Sequence, residues 1–387
     1  MKKFLLWVWR VLLALVTLAV LLFSLATVFP LLPYIGSAAN IVTVGYLHLW
    51  APLAAGLFLL ALIRFFALRK QRRGGLMLLC AAVSLVCTAA FLGANWLTVS
   101  RAGAEPNVWP VKEDVSAVKT ETMPWLQSEY GELLMDVHFT ENGETDKPVM
   151  VYIHGGGWIQ GERTDHLYYS KAFAAHGYVV FCPDYDLSSE ERHLAGSTEL
   201  QLCDALAWVR DHAADYGADA EKLYLTGGSA GGNMALELAY KINAGEYAAA
   251  SDGTELPKVK AVSAMFPACS VADMFTNRDP VLGPMGHRMA ASYTGVSPEE
   301  DPELFRSLEP VNHISKAAAP TFIMVGAGDS LVPPQATYRL RGALDAAGIP
   351  NECVVVPYGN HLMDMVDGSM LNRAYLELSL RWFERFE

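Results

Sequence analysis

Three long apolar stretches open the chain, and a series of much shorter apolar runs follows them. The long stretches cover residues 4–29, 44–66 and 76–99. Each could cross the hydrocarbon core of a bilayer as a helix, for which about 20 apolar residues suffice. We therefore predict a membrane region with three transmembrane helices over residues 1–100.

The second part of the chain has a different period. Short runs rich in β-branched residues alternate with segments of helical spacing, which is typical of a mostly parallel sheet with helices on both faces. The strand-like runs lie at 133–139, 148–154, 178–183, 222–227, 259–266, 320–326 and 352–358. We predict an α/β domain over residues 129–387, joined to the membrane region by a tether over 101–128.

One gap between the strand-like runs is unusually long. Residues 267–320 are rich in proline and glycine and contain only short pieces with helical spacing. A long insertion in a compact domain is usually functional. We expect this one to form a small cap near a binding pocket.

Charge separates the two parts as clearly as hydropathy does. Residues 1–100 contain eight basic residues and no Asp or Glu, so the remaining 21 basic and 41 acidic residues give the rest of the chain a charge of −20 within the total of −12. The basic residues cluster at 69–73 and at Lys2 and Lys3. By the positive-inside bias, the N-terminus and this cluster face the cytoplasm. The connector over 30–40 and the domain after residue 101 then lie outside.

Two alternatives for the apolar stretches remain open. The first stretch has a basic start and small residues at 36–39, as a cleaved signal peptide has, and cleavage would leave the domain outside as well. The stretches could also be buried helices of a soluble protein. The low polar content of the stretches favours helices that only anchor the outer domain. The second possibility is that these helices also form a tunnel for lipid-ester substrates.

Composition also restricts the partners. An acidic outer domain does not match the basic faces that bind nucleic acid, so no nucleic-acid partner is expected. The spacing of Cys182, Cys203, Cys269 and Cys353 is neither that of a zinc site nor that of a disulfide-stapled small domain. Disulfides among these four remain open for an oxidising compartment, with three possible connectivities. Buried free thiols are the expectation for Cys182 and Cys353, and no metal or organic cofactor is implied.

A serine flanked by glycines provides the first catalytic candidate. Gly227–Gly231 read GGSAG between a strand-like and a helical segment. This is the G-x-S-x-G pattern, in which a tight turn exposes the serine oxygen at a helix N-terminus. Ser229 is therefore the predicted nucleophile.

A serine hydroxyl needs a base and a group that orients the base. Asp329 and His361 each follow a strand-like run downstream of Ser229, in the order nucleophile, acid, base. They are the predicted acid and base. The alternatives are His313 for the base and Asp301, Glu309, Asp364 and Asp367 for the acid.

The segment HGGGW at residues 154–158 supplies backbone without side chains directly after a strand-like run. Backbone N–H groups that point at a developing oxyanion lower the barrier of acyl transfer. We predict an oxyanion hole formed by the N–H groups of Gly156, Gly157 and Ala230. His154, next to Gly155, is expected to hold the loop rather than to act as a second base.

At this point the chain resembles a known family. The segments HGGGW (154–158), CPDYDL (182–187), GGSAGG (227–232), GAGDSLVPP (326–334) and YGNH (358–361) are similar to those of α/β-hydrolase esterases of the hormone-sensitive-lipase and acetyl-esterase group. The resemblance includes the related xylan/feruloyl esterases and kynurenine formamidases. It covers residues 130–387 and implies an α/β-hydrolase fold with a serine nucleophile.

Two departures leave the substrate open. Gly228 stands where the group often has Asp, which is closer to the feruloyl-esterase and formamidase branch, and the group's DYRLAPE is here DYDLSSE. The resemblance implies structural roles for Asp184 and Tyr185. Ester hydrolysis of small-molecule, lipid or carbohydrate esters is the leading expectation. An amidase, arylformamidase or peptidase, or an inactive binding domain on the same fold, remain alternatives.

Overall fold

The computed structural model describes residues 1–29, 33–68 and 74–387. Two compact units can be distinguished. The first comprises residues 1–111 together with 326–328 and 356–372, and the second comprises 112–325, 329–355 and 373–387. The first unit thus includes short segments that lie far along the chain from the N-terminal helices.

Four helices make up most of the first unit. They are α1 Lys2–Val28, α2 Pro33–Gly45, α3 Leu47–Leu68 and α4 Gly75–Ala102. Helices α1, α3 and α4 are long and apolar enough to cross a membrane, as expected. The basic cluster at 69–73, on which the predicted orientation depends, lies outside the described residues.

Helix α2 differs from the sequence-based expectation. Residues 30–40 were expected to be a connector, but the described part of this segment, from Pro33 onward, begins a helix of 13 residues. Such a helix is shorter than the roughly 20 residues needed to cross a bilayer core. The segment contains small and polar residues, which gave no long apolar run to identify it as a helix.

Hydroxyl groups connect the N-terminal helices. Thr27 Oγ1 of α1 lies 2.8 Å from Thr43 Oγ1 of α2, and Ser24 Oγ lies 3.4 Å from Thr88 Oγ1 of α4. A hydroxyl in an apolar environment is costly without a hydrogen bond. These pairs therefore favour one packing of the helices over rotated alternatives.

The second unit contains an eight-stranded sheet in the order β1-β2-β4-β3-β5-β6-β7-β8. The strands are β1 Val118–Ser128, β2 Gly131–Thr140, β3 Lys147–Ile153, β4 Val179–Pro183, β5 Ala218–Gly228, β6 Val259–Met265, β7 Thr321–Gly326 and β8 Asn351–Val356. Strands β3–β7 pair in parallel, whereas β1 and β2 are antiparallel. The nearly continuous burial of β3 to β7 matches a sheet that is covered on both faces.

Eight helices of the described chain follow the first strands. They are α5 Leu167–Ala175, α6 Ser197–His212, α7 Ala230–Ala244, α8 Val271–Phe275, α9 Gly283–Thr294, α10 Pro302–Ser307, α11 Gln335–Ala347 and α12 Met370–Glu384. The insertion expected over 267–320 contains α8, α9 and α10 and a 3₁₀ turn at Pro310–His313. Asp301 caps α10, since its Oδ1 accepts a 2.9 Å hydrogen bond from Leu304 N–H.

Strand β1 lies within the segment that the sequence suggested as a tether. Val118–Ser128 pairs with β2 from Val118↔Thr140 to Ser128↔Gly131, so only residues 103–117 separate α4 from the sheet. The strand is at the edge of the sheet and most of its side chains are exposed or half-buried. Charged edge strands lack the apolar pattern by which buried strands are found.

All six cysteines lie in the described part of the chain, as free thiols. Cys182 is buried, as expected, whereas Cys353 is half-buried. Burial raises the pKa of the Cys182 thiol to about 12. It is therefore protonated, and a poor nucleophile, at neutral pH.

A buried histidine on β2 makes stability depend on pH. Burial lowers the pKa of His138 to about 4, although the nearby Asp136 charge opposes the shift, and Nδ1 of His138 lies 2.8 Å from Thr120 Oγ1. Because the folded-state pKa is below the unfolded value of about 6.5, the neutral ring contributes its full stability above pH 6.5. That contribution is lost as the pH falls from 6.5 towards 4.

We expect the wild type to lose about 2 kcal/mol of unfolding free energy through His138 between pH 7.5 and pH 5, relative to His138→Gln. Glutamine is neutral across this range and can still hydrogen bond to Thr120. Thermal unfolding of both proteins across this pH range measures the difference. Parallel pH curves for the two proteins would contradict the assignment.

Candidate active site

Ser229 lies in the turn between β5 and α7, with backbone angles of φ 57° and ψ −122°. L-residues rarely adopt this conformation, and such strain persists only where the surroundings enforce it. The Ser229 N–H donates to Met265 O at 2.9 Å, and the Ser229 carbonyl accepts from Ala268 N–H at 3.1 Å. These bonds to β6 and the segment after it hold the turn in place.

Glycines at both ends of the turn allow its close approach to β3. A Cβ at Gly227 would lie 2.6 Å from Ile153 O, and a Cβ at Gly231 would overlap the same oxygen. Gly228 is different, because a Cβ there would make only ordinary contacts, 3.5 Å from the Phe266 ring and 3.8 Å from Met265 O. The geometry requires the two outer glycines and leaves room for a side chain at 228.

The HGGG loop lies directly against the Ser229 turn. A Cβ at Gly155 would lie 3.4 Å from the Ser229 Cβ and 2.8 Å from Gly228 O. Gly156 and Gly157 have φ values of 111° and 61°, which favour glycine. Ala230 is the first residue of α7, so its N–H has no acceptor within the helix. The loop thus brings Gly155 against Ser229, and the helix start leaves the Ala230 N–H without an acceptor in the helix.

Helix α9 of the insertion packs on this loop. A Cβ at Gly157 would overlap the Met289 side chain. The Trp158 ring stacks on Tyr293 with centroids 4.5 Å apart and planes 4° apart, and both rings are buried. The insertion therefore fixes the shape of the HGGGW segment.

Buried ionisable groups adjoin the Trp158–Tyr293 stack. Tyr293 OH donates to Glu199, and Lys241 Nζ donates to Glu237; both carboxylates are fully buried. Burial raises the pKa of Glu199 and of Glu237, and the nearby Lys241 opposes the shift. Nothing in the sequence pattern marked this cluster, because the residues are far apart along the chain.

His154 is placed as a support of the loop. Its Nδ1 donates to Gly155 O at 2.8 Å, and its ring stacks on Tyr185 at 4.1 Å. Tyr185 OH donates to His154 O at 2.9 Å. Burial lowers the pKa of His154, which keeps the ring neutral. These contacts hold the loop in its shape, and the structural roles of both residues stay predictions.

Asp184 binds Arg163, which follows the HGGGW segment in the chain. Its carboxylate accepts from the Arg163 backbone N–H at 2.7 Å and from the Arg163 guanidinium at 2.9 Å. The same guanidinium donates to Asp136 on β2 at 3.0 Å. The sequence had suggested Asp184 as structural but gave no sign of Arg163 as its partner.

Asp329 lies three residues beyond the end of β7 and is buried. Its Oδ1 accepts from Leu331 N–H at 3.0 Å and from Val332 N–H at 2.9 Å. Asn277 of the insertion donates to Ser330 O at 2.9 Å and steadies the loop. Strand β6 alone separates β7 from β5 in the sheet. Ser229 and Asp329 thus follow strands whose carboxyl ends share one edge.

His361 lies five residues after the end of β8, in the segment 356–372 that belongs to the first compact unit. The residue is buried, and its backbone N–H donates to Asn360 Oδ1 at 2.7 Å. Its role as base stays a prediction from chain order and from its place after β8.

The alternative base, His313, has both ring nitrogens engaged elsewhere. Nδ1 lies 2.8 Å from Glu246 Oε2 and Nε2 lies 2.9 Å from Ser307 O. Among the alternative acids, Glu309 accepts from Ser270 Oγ at 2.5 Å. These contacts commit both residues to the structure of the insertion and its surroundings.

The family model BD-FAE matches residues 135–344, which is more than half of the chain. The chain belongs to the BD-FAE family. The match includes the HGGG loop, Ser229 and Asp329, and ends before His361.

Curated relatives are similar over part of their length. Esterase LipQ of Mycobacterium tuberculosis is 28% identical over 222 residues, which is 56% of this chain and 51% of LipQ. Probable carboxylic ester hydrolase LipM of the same organism is 29% identical, over 57% of this chain and 50% of LipM. The chain therefore spans about half the length of these relatives.

Solved structures show the same fold. The esterase Est2 of Thermogutta terrifontis, solved with butyrate bound, superposes with a TM-score of 0.56 at 21% identity, covering 70% of this chain and 95% of Est2. A thermostable esterase from Pseudomonas putida ECU1011 gives 0.57 at 19% identity, over 78% and 89% of the two chains. The predicted α/β-hydrolase fold is confirmed.

Proposed function

We propose that the protein is a membrane-anchored serine hydrolase that cleaves carboxylic esters through an acyl-enzyme intermediate. The observation that carries the proposal is the strained Ser229 turn with the HGGG loop against it. A turn of this shape exposes a serine oxygen, and glycine backbone beside it can bind an oxyanion. The esterase relatives support ester hydrolysis as the reaction.

The proposed reaction proceeds in two halves. Ser229 Oγ attacks the ester carbonyl carbon while His361 accepts the hydroxyl proton, and the N–H groups of Gly156, Gly157 and Ala230 stabilise the resulting oxyanion. The intermediate collapses, His361 returns the proton to the departing alcohol, and the acyl group stays on Ser229. His361 then takes a proton from water as the water oxygen bonds to the acyl carbon; the bond to Ser229 Oγ breaks, His361 returns the proton to Oγ, and the carboxylic acid leaves. Asp329 orients the histidine and stabilises its cationic form.

The proposed substrates are esters with short acyl groups. Est2 was solved with butyrate and with propionate bound, and a relative from Dothistroma septosporum is named versiconal hemiacetal acetate esterase. The membrane region anchors the enzyme, with the N-terminus in the cytoplasm and the catalytic domain on the extracytoplasmic side. The basic residues Lys2 and Lys3 at the start of α1, and those at 69–73 between α3 and α4 in the sequence, support that orientation.

A series of p-nitrophenyl esters from acetate to palmitate, with the p-nitroanilides of the same acids, tests the reaction class on the full chain. We expect hydrolysis of the short esters to exceed that of the matched anilides by at least about 100-fold, because p-nitrophenolate leaves a tetrahedral intermediate more readily than the p-nitroaniline nitrogen does. Faster anilide cleavage would identify an amidase. Absence of turnover on both series would favour a binding role.

Substitution of Gly156 tests the oxyanion loop. A Cβ at Gly156 would overlap Gln160 O, and φ at this position is 111°, so Gly156→Ala must distort the loop. We expect kcat to fall by about 100-fold, the typical effect of losing one oxyanion donor. Gly228→Ala is the matched control, because the space there admits a methyl group. Equal activity of the two variants would argue against this loop as the oxyanion site.

A further inference from the structure

The segment that carries His361 shares a compact unit with the N-terminal helices. Residues 356–372 and 326–328 join residues 1–111 in that unit. The inference that follows rests on the proposed function, in which His361 is the base. It concerns what holds this histidine in place.

Helix α2 meets these segments at three points. Asn360 Nδ2 donates to Ser37 O at 3.3 Å, Asn40 Nδ2 lies 2.9 Å from where a Cβ of Gly328 would be, and a Cβ at Gly45 would lie 3.2 Å from Met365 Sδ. Residues 37 and 40 neighbour each other on the helix surface, whereas Gly45 is the last residue of the helix and lies about 140° around the axis from residue 40. The contacts therefore extend along α2 to its C-terminal end.

The side chain of Asn360 connects α2 to the backbone of the histidine. Its Nδ2 donates to Ser37 O, and its Oδ1 accepts the His361 N–H at 2.7 Å. An amide that is bound at both ends has its orientation fixed. The Asn360 side chain therefore links the backbone of α2 to the backbone of His361.

Further contacts hold α2 and the histidine segment against other N-terminal elements. Thr43 ties α2 to α1 through the 2.8 Å contact with Thr27, and the Tyr358 ring packs edge-on against Phe91 of α4 at 6.4 Å. At the other end of the segment, Val111 N–H donates to Gly368 O at 2.9 Å. The histidine segment is therefore packed on several N-terminal elements at once.

We propose that helix α2 is a positioning element for the catalytic histidine, so that the membrane region is part of the catalytic machinery and not only an anchor. General base catalysis needs the base within hydrogen-bond reach of its proton, and misplacement by about 1 Å can lower the rate about 100-fold. Changes in α2 packing are thereby converted into changes of turnover.

The test replaces Gly45 of α2 by a larger residue and then shortens Met365, the side chain that the larger residue would contact. Gly45→Leu adds a side chain where a Cβ alone already reaches Met365. We expect kcat for a short p-nitrophenyl ester to fall at least about 10-fold with a smaller change of KM, and the acidic limb of the pH–kcat profile to shift. Met365 is 42% exposed, so Met365→Ala alone should be tolerated. Combined with Gly45→Leu, it should restore kcat to within about 3-fold of the wild type.

The control is Gly56→Leu in α3, where a Cβ would meet nothing within 4 Å. It should retain wild-type kcat. If Gly45→Leu performs as well as Gly56→Leu, or if Met365→Ala fails to restore it, the positioning proposal is wrong.

Hydrogen exchange separates this inference from the proposed function. Peptides covering residues 356–372 should exchange faster in full-chain Gly45→Leu than in the wild type or in Gly56→Leu, whether or not the protein hydrolyses esters. Unchanged exchange in these peptides would overturn the inference. If wild-type protein shows no Ser229-dependent hydrolysis while exchange still responds to Gly45→Leu, it is the proposed function that fails.

Discussion

The Ser229→Ala variant should hydrolyse short-chain esters about 10⁴-fold to 10⁶-fold more slowly than the wild type. Removal of the nucleophile abolishes the acyl-enzyme path, and only the residual rate from oxyanion binding remains. Alanine keeps the Cβ and removes only the hydroxyl, so the strained turn should be retained. Steady-state hydrolysis of p-nitrophenyl acetate by the full chain measures the effect.

Ser379→Ala is the matched control for this variant. Ser379 is also buried, and its Oγ has no hydrogen-bond partner within the described residues. Its removal should leave kcat unchanged and stability equal or slightly higher. Ser229→Ala with more than a tenth of wild-type activity would place the nucleophile elsewhere.

The Asp329→Asn variant should lose about 10²-fold to 10⁴-fold in kcat. An amide oxygen at this position can still accept the N–H groups of Leu331 and Val332 that now bind Oδ1, so the loop should keep its shape. The variant lacks the negative charge that stabilises a histidine cation, and its NH₂ group favours the wrong histidine tautomer. Thermal unfolding of the variant should change little.

The rival acids provide the controls for that prediction. Asp364→Asn and Glu309→Gln should each reduce kcat by less than about 5-fold. Glu309 is committed to a hydrogen bond with Ser270, and Asp364 follows His361 in the chain. A larger loss in either variant than in Asp329→Asn would reassign the acid.

The Ser229 turn and the HGGG loop could be located from the sequence because their residue patterns are local. A serine between small residues at a strand-to-helix boundary, and three glycines after a strand, are patterns within a few residues of each other, and the structure brings Gly155 against Ser229. The same holds for the buried strands β3 to β7, whose apolar runs report burial on both faces. The positions of Asp329 and His361, each after a strand-like run downstream of Ser229, could likewise be read from the sequence, and their roles stay predictions.

Features that depend on distant residues were not predictable. Arg163 joins Asp136 and Asp184 through bonds across the chain, and Tyr293 of α9 reaches Trp158 and Glu199. Helix α2 lacks an apolar run of spanning length, and β1 carries charged residues on an exposed edge. The partnership of α2 with the histidine segment joins positions more than 300 residues apart, for which one sequence holds no local signal.

The most direct test of Ser229 as an activated nucleophile is to treat the folded full chain with a fluorophosphonate and locate the adduct by peptide mass spectrometry. Such reagents form a covalent bond with a serine that a neighbouring base activates. We expect one adduct per chain, on Ser229, and none on Ser229→Ala. A folded wild-type protein that stays unlabelled, or that carries its adduct on another residue, would contradict it.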